Sequence, residues 1–248
     1  MRSFETLRYE ESGAVARVWL LRPRMNMQMI NELTAVCDHL EDVSQCKVVV
    51  FRGGTGDFCA GIDFEDFKPD APLDIHGFNR WEKLVSRLER LDKITVVALE
   101  GAVVGGGFQL ALVADARVAS RTATLQCNEV QLGFLPGMAT FRLAKYVGLG
   151  RAKQLILRAK VITADDALAL GIVDDVAEDV EQGVAQAIAD FGPLHTVTVK
   201  LARRLLNECY ATEYEDAIGN FLAAQHVSIS QTAFLDTLKK HRAERKSG

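Results

Sequence analysis

Three consecutive glycines, Gly105 to Gly107, separate a β-rich run from a helix-forming run. Residues 96–99 form a short β-branched run that predicts a strand, and residues 108–113 predict a helix. The glycines therefore lie where a strand turns into the first turn of a helix, and unpaired amides meet the positive end of the helix dipole there. Glycine lets a backbone come close to a ligand, and one carboxylate, Glu129, follows in an otherwise apolar stretch. This segment therefore predicts a site that polarises the carbonyl group of a ligand and supplies Glu129 as a base.

A second glycine turn, residues 59–63 (CAGID), follows the apolar strand predicted at residues 48–51. If the amides of Ile62 and Gly106 converge on one oxygen, they form an oxyanion hole, in which each donor contributes about 3 to 4 kcal/mol in a dry site. The alternative is that both segments are ordinary turns between a strand and a helix. Each turn taken alone is compatible with either interpretation.

The motifs together resemble the crotonase (enoyl-CoA hydratase/isomerase) superfamily. The segments that carry the resemblance are 21–26 (LRPRMN), 58–63 (FCAGID), Gly101 with Gly105 to Gly107, 114–119 (ADARVA), 128–137 (NEVQLGFLPG) and 164–173 (ADDALALGIV). They occur in the family's order and spacing from about residue 14 to residue 175. The resemblance implies an α/β fold built as a spiral of ββα repeats, with a helical C-terminal region that trimerises.

The same resemblance implies a domain organisation and a class of substrate. Residues 1–192 would form the spiral core with the oxyanion hole, and residues 193–248 would form the helical region for subunit association. The expected partners are thioesters of coenzyme A or of an acyl carrier protein, and a second copy of the chain in a homotrimer or a dimer of trimers. The coenzyme or phosphopantetheine arm is part of the substrate, so no separate cofactor and no metal are expected. The amides of Ile62 and Gly106 would stabilise a thioester enolate.

The acid–base residues depart from the pattern of the hydratases. Those enzymes use two carboxylates to hold and activate water. The first position, directly after the glycines and Phe108, is Gln109, and an amide cannot relay a proton. The glycine-rich stretch that usually follows the Pro-Gly pair is one residue shorter here and reads GMAT at 137–140. Both differences argue against a hydratase and leave Glu129 as the acid/base.

One carboxylate suffices for a 1,3-proton shift, so the preferred function is a Δ3,Δ2-enoyl-CoA isomerase, a class that this chain resembles at residues 128–133 (NEVQLG). An enoyl-CoA hydratase remains an alternative. So does enolate carbon–carbon bond formation or decarboxylation, because carboxymethylproline synthases resemble the chain in the Gly-Phe-Gln segment and the lone downstream glutamate. A binding protein without catalysis is a weaker alternative. Glu129 is expected to be buried by its apolar neighbours Val130, Leu132, Phe134 and Leu135.

The resemblance also suggests residues that bind the thioester. The backbone around the two turns contributes Ala60, Gly61, Gly105 and Gly137, and the acyl pocket is expected to be walled by Phe64, Phe67, Trp81, Phe134, Met138 and Phe141. Many relatives carry a lysine near the coenzyme phosphates where this chain has Glu65, which leaves Arg22 and Arg24 as the phosphate ligands or favours a carrier protein as donor. The resemblance also places Phe234 of the C-terminal region near the coenzyme nucleotide of a neighbouring subunit. The basic segment 239–246 is interpreted as a solvated helix end, and contact of one of its basic residues with that coenzyme is the alternative.

Composition excludes several other classes. The net charge of -4 and the pI near 5.8 argue against nucleic acid as a partner, since the basic segment 239–246 is isolated. No apolar run approaches the roughly 18 residues that a membrane span requires, and no signal peptide is apparent, so the expected location is the cytoplasm. The five cysteines and five histidines lack metal-site spacing, and the glycines lack the dinucleotide fingerprint.

Hydrophobic patterns predict alternating strands and helices in one α/β domain. The predicted strands are 14–20, 47–52, 94–99 and 116–119. The predicted helices are 27–43, 79–91, 106–113, 139–147, 151–157, 164–170 and 180–191, with two or three more after Pro193.

Overall fold

The computed structural model describes residues 4–66 and 75–247. The chain divides into two compact units, Met1–Gly192 and Pro193–Gly248. Phe67, which was expected in the acyl pocket, lies outside the described residues. The elements that form the candidate site all belong to the first unit.

The strands form two sheets. In chain order they are β1 (Leu7–Ser12), β2 (Val15–Leu20), β3 (Val48–Gly53), β4 (Cys59–Ala60), β5 (Ile94–Leu99), β6 (Ala102–Val104), β7 (Ala116–Ser120), β8 (Thr124–Gln126), β9 (Ile162–Thr163) and β10 (Asp175–Ala177). The first sheet has the order β1-β2-β3-β5-β7-β10, and the second has the order β4-β6-β8-β9. All pairs are parallel except β1 with β2 and β8 with β9.

The helices follow the strands in a regular repeat. They are α1 (Met27–Asp42), α2 (Ile75–Glu89), α3 (Gly106–Leu112), α4 (Ala139–Leu157), α5 (Ala164–Ala169), α6 (Val180–Asp190), α7 (Thr196–Glu208), α8 (Tyr214–Ile229) and α9 (Thr232–Ser247). Strand β3 is followed by β4 and α2, and β5 is followed by β6 and α3, so each of these two repeats gives one strand to each sheet before its helix. The predicted α/β fold with ββα repeats is confirmed.

The core surrounds the first sheet. All six residues of β5 are buried, as expected for the central strand of a parallel sheet that is covered on both faces. Helix α6 packs against β5 and β7. Phe51, Phe58 and Phe108 are among the largest side chains that are completely buried. This packing gives a rigid base for the loops that leave β4 and β6.

The predicted helices are observed with small shifts at their ends. Helix α2 begins four residues earlier than expected, at Ile75. The two helices predicted at 139–147 and 151–157 are joined in α4, with a break at Gly148, whose φ of 76° and ψ of 157° are not helical. Patterns did not reveal the two- and three-residue strands of the second sheet, because such short strands contain too few residues to show alternation.

The second unit consists of α7, α8 and α9, and the basic segment 239–246 falls within α9. None of the helices in residues 4–66 and 75–247 has the length and apolar character needed to cross a bilayer.

Candidate active site

The ends of two short parallel strands bring the two glycine turns together. Strands β4 and β6 pair Cys59 with Val103 and Ala60 with Val104. If this register is continued for two residues beyond the strands, Ile62 lies opposite Gly106. Gly61 and Gly105 adopt positive φ angles of 100° and 56°, which turn both chains out of the ladder. A Cβ atom on Gly105 would lie 3.9 Å from the Gly61 Cα atom, so the turns remain in contact.

The hydrogen bonds around these turns leave two amides available. The Met25 amide donates to the Gly61 carbonyl at 2.9 Å, and the Asp63 amide donates to the Met25 carbonyl at 2.8 Å. In this parallel bridge the amide of Ile62 points away from Met25. Gly106 is the first residue of α3, so its amide has no acceptor within the helix. These are the two amides predicted for an oxyanion hole, and that role stays a prediction.

The Glu129 carboxylate lies beside the Gly105 turn. Glu129 begins a 3-10 turn, Glu129–Leu132, which ends at Gly133 in the left-handed conformation. A Cβ atom on Gly105 would lie 2.7 Å from Glu129 Oε1, so only glycine leaves room for this carboxylate. The residue is 5% exposed, and Oε2 has no hydrogen-bond partner within the described part of the chain. Burial raises the pKa of Glu129 because it disfavours the charged form.

The prediction that neighbouring apolar residues bury Glu129 is partly wrong. Leu132 and Leu135 are 51% and 73% exposed, so they do not cover the carboxylate. Val130 packs against the core, and Phe134 is half-buried. The contact with Gly105 comes from the preceding repeat, where β6 leads into α3. Tertiary packing, rather than the local apolar run, accounts for the burial.

Gln109 lies on α3 next to the Gly137 turn. It is 4% exposed, and its Oε1 atom has no partner among the described residues. A Cβ atom on Gly137 would lie 2.8 Å from Gln109 Nε2 and 2.1 Å from Glu82 Oε1. Gly137 has a positive φ of 49° and lies between the Gln109 amide and the Glu82 carboxylate. The turn after Pro136 accordingly fits closely against Gln109.

Glu82, on α2, is a carboxylate that the sequence did not indicate. Its Oε1 accepts the Met138 amide at 2.9 Å, and its Oε2 lies 3.4 Å from Arg142 Nη1. Arg142 is buried and also contacts Glu89 at 3.1 Å. Both oxygens of Glu82 are therefore engaged. No motif links α2 to α4, so nothing in a single sequence could have predicted this ion pair.

Aromatic side chains from three elements meet near the two turns. Phe64, which follows the Ile62 turn, contacts Phe134 edge to face with ring centroids 6.3 Å apart. Phe78 on α2 contacts Phe134 at the same centroid distance with a tilted geometry. Phe78 was not anticipated. Trp81 is buried beside Gly106, whereas Met138 and Phe141 are largely exposed, and the Lys145 ammonium lies over the Phe141 ring.

The candidates for binding the coenzyme are less closely grouped. Arg22 pairs with the buried carboxylate of Asp63 at 3.0 Å, and both Arg24 and Glu65 are exposed. Ala60, the last residue of β4, is half-buried. Phe234 lies on α9 of the second unit. Arg24 forms no ion pair among the described residues, so its guanidinium is available to a ligand.

Comparison with known proteins shows which family this chain is similar to. Residues 10–243 match the family model described as Enoyl-CoA hydratase/isomerase. The chain is 33% identical to a short-chain-enoyl-CoA hydratase of Clostridium acetobutylicum, over 93% of this chain and 94% of the relative. It is 30% identical to a crotonyl-CoA hydratase of Syntrophomonas wolfei, over 96% and 97%. The crystal structure of an enoyl-CoA hydratase from Thermoplasma volcanium superposes with a TM-score of 0.87 at 27% identity, covering 95% of this chain and 96% of that one. The chain is therefore an enzyme of the enoyl-CoA hydratase/isomerase family, the crotonase superfamily.

Proposed function

We propose that this enzyme is a Δ3,Δ2-enoyl-thioester isomerase that uses Glu129 as its acid and base. The proposal rests on one observation, the hydrogen-bond partners of the two carboxylates, Glu129 and Glu82. Glu129 is buried beside Gly105 and has a free oxygen within the described chain, whereas both oxygens of Glu82 are engaged. A single available carboxylate matches the needs of a proton shift and falls short of those of water addition.

The reaction would proceed in two proton transfers. The ionised Glu129 carboxylate removes a proton from C2 of a β,γ-enoyl thioester, and the electron pair spreads over a dienolate. The amides of Ile62 and Gly106 donate hydrogen bonds to the thioester oxygen, which carries the negative charge. The protonated Glu129 then returns the proton to C4, and the double bond ends between C2 and C3. Gln109 lines this space without exchanging a proton.

A hydratase is the second candidate, because the relatives that are 33% and 30% identical carry that name. Water addition through Glu129 alone would need a second group to hold the water. Gln109 could do so through its unpaired Oε1. The two reactions differ in their substrates, so one experiment distinguishes them.

We also propose which group carries the acyl chain as a thioester and how the subunits associate. A coenzyme A thioester is the expected substrate, with Arg24 toward its phosphates, and a carrier-protein thioester is the alternative because Glu65 stands where relatives carry a lysine. Phe234 would contact the nucleotide of the coenzyme that a neighbouring subunit holds. The subunits would associate as a trimer or a dimer of trimers through the region 193–248, and no cofactor beyond the substrate's own coenzyme is proposed.

The deciding experiment incubates the purified enzyme with 3-butenoyl-CoA and, separately, with crotonyl-CoA. Products are followed by ultraviolet absorbance and mass spectrometry. An isomerase converts the first compound to crotonyl-CoA and adds little water to the second. Rapid gain of the mass of water on crotonyl-CoA, without isomerisation of 3-butenoyl-CoA, would overturn the isomerase proposal in favour of a hydratase.

A substitution of Glu129 tests the mechanism independently of the product. We expect Glu129→Gln to lower turnover by about 10²- to 10⁴-fold with little change in thioester binding, because the base is lost and the shape is kept. The wild-type enzyme should also exchange the α-protons of butyryl-CoA with solvent deuterium. Exchange should disappear in Glu129→Gln and persist in the control Gln109→Ala. Absence of exchange with tightly bound butyryl-CoA would remove Glu129 from the role of base.

A further inference from the structure

The segment that begins with Glu129 contacts the first turn of α3 at both of its ends. At its start, a Cβ atom on Gly105 would lie 2.7 Å from Glu129 Oε1. At its end, a Cβ atom on Gly137 would lie 2.8 Å from Gln109 Nε2. The Gln109 backbone amide donates to the Gly105 carbonyl at 2.9 Å, so a single helical turn separates the two contacts. Residues 129–138 therefore form a loop with both ends against α3, which we call the Glu129 loop.

One hydrogen bond connects the second half of the Glu129 loop to the rest of the fold. Among the described residues, the other hydrogen bonds of residues 133–138 are made within the segment 129–142. The exception is the Met138 amide, which donates to Glu82 Oε1 at 2.9 Å. Glu82 belongs to α2, so this anchor comes from outside the loop. Apart from this bond, the second half is held by packing, such as that of Phe134 against two other phenyl rings.

Glu82 also serves the beginning of α4. Met138 is the N-cap residue of that helix, and within the described chain its own side chain makes no capping hydrogen bond. A carboxylate at this end of a helix is favoured by the helix dipole. A Cβ atom on Gly137 would lie 2.1 Å from the same Glu82 oxygen, so the carboxylate is in direct contact with the turn. The end of the Glu129 loop and the start of α4 therefore share one acceptor.

Arg142 fixes the position of Glu82. Arg142 Nη1 lies 3.4 Å from Glu82 Oε2, and Arg142 Nη2 lies 3.1 Å from Glu89 Oε2. Arg142 is buried, so little water competes for this ion pair. One oxygen of Glu82 is thus held by a buried cation, while the other accepts the amide of the loop. This arrangement transmits the position of α2 to the Glu129 loop.

We propose that Glu82 is a positioning residue, which acts on Glu129 by fixing the far end of the loop that begins with it. This inference rests on the proposed role of Glu129 as the base. Proton transfer requires the base at a defined distance from the C2 proton, and an error of about 1 Å can lower the rate about 100-fold. A loop fixed at both ends keeps that distance, whereas a loop fixed at one end moves. Glu82 itself exchanges no proton, because both of its oxygens bind other groups.

The experiment compares Glu82→Gln with Glu82→Met. Both variants remove the negative charge that faces Arg142, but only glutamine keeps an oxygen that can accept from the Met138 amide. The measurements are the rate of exchange of the α-protons of butyryl-CoA with solvent deuterium and the Kd of butyryl-CoA from isothermal titration calorimetry. We expect Glu82→Met to lower the exchange rate about 10- to 100-fold with little change in Kd. Glu82→Gln should stay within about threefold of the wild-type rate, because the loop keeps its anchor.

Glu89→Gln is the matched control. It removes the other carboxylate from Arg142 and leaves the bond from Met138 to Glu82 intact, so it should lower the urea midpoint without lowering the exchange rate. Equal exchange rates in Glu82→Met and Glu82→Gln would overturn the positioning role. So would a loss of exchange in Glu89→Gln as large as that in Glu82→Met, because the effect would then come from the ion pair and not from the anchor.

A second variant reaches the same contact from the loop. The methyl group of Gly137→Ala would collide with Glu82 Oε1, so this substitution should displace the turn and reduce exchange even if Glu82→Met does not fold. A wild-type exchange rate in Gly137→Ala would overturn the proposal. Absence of exchange in the wild-type enzyme itself would overturn the role of Glu129 as the base, and with it both proposals.

Discussion

At the scale of single residues, the environment of Glu129 determines when it can act as a base. Burial raises the pKa of its carboxyl group, so this group stays protonated at a pH where an exposed glutamate is already ionised. The ionised form is the base. We therefore predict that kcat/KM falls as the pH is lowered through the raised pKa of Glu129, and that the acidic limb lies above the value of about 4.3 for a free glutamate.

The measurement is a pH–rate profile of isomerisation with 3-butenoyl-CoA. The Glu129→Gln variant is the control, since its residual rate should lack the acidic limb. A wild-type profile whose acidic limb falls at or below the pKa of an exposed glutamate would contradict this prediction. Residual activity with an unchanged limb in the variant would assign the titration to another group.

At the scale of elements, Glu82 and Arg142 connect α2 to the beginning of α4. Arg142 is buried, and its side chain is 7% exposed, between Glu82 and Glu89. Because removing one partner of a buried pair leaves uncompensated charge, we predict that Arg142→Met lowers the free energy of unfolding by about 3 kcal/mol. Urea denaturation measures the change.

The control for this element is Arg121→Met. Arg121 is exposed and pairs with Glu178 and Asp165 on the surface, so its removal should leave the urea midpoint unchanged. Similar shifts for both variants would mean that burial of Arg142 contributes nothing. A loss of activity in Arg142→Met at a temperature where it remains folded would indicate that Glu82 also keeps Gly137 in place against Gln109.

At the scale of the whole molecule, the second unit has large apolar side chains that are exposed. Helix α8 contains no buried residue, and Phe221 and Leu222 are 50% and 59% exposed. Large exposed apolar patches mark association surfaces. We predict that the wild-type chain sediments as a trimer or a dimer of trimers, and that the double substitution Phe221→Asp and Leu222→Asp yields monomers.

Analytical ultracentrifugation at micromolar concentration tests the assembly. Asn220→Asp adds one negative charge, half that of the double substitution, at an exposed polar position of α8 and should leave the oligomer intact. A wild-type monomer, or an oligomer that survives the double substitution, would rule out α8 as an association surface.

The sequence by itself determined the features that depend on neighbouring residues. Periodicity predicted α1, α3 and α6 to within one or two residues, since each helix has enough turns or clear end signals. The glycines at 61 and 105 predicted turns, and both residues have a positive φ in the structure, a conformation that side chains disfavour. The motifs indicated the family, and the amide at Gln109 together with the single acid at Glu129 led to the prediction of one acid/base.

Only the tertiary structure decided which groups meet. The Ile62 and Gly106 turns come together because two very short strands, β4 and β6, pair in one register, and strands of two or three residues leave no periodic trace in a sequence. Glu82, Phe78 and Trp81 reach the site because α2 lies next to Gly106, Phe134 and the start of α4. Burial of Glu129 likewise comes from Gly105 in the preceding repeat. Contacts between distant segments depend on how the repeats pack against one another, and local sequence patterns do not predict that packing.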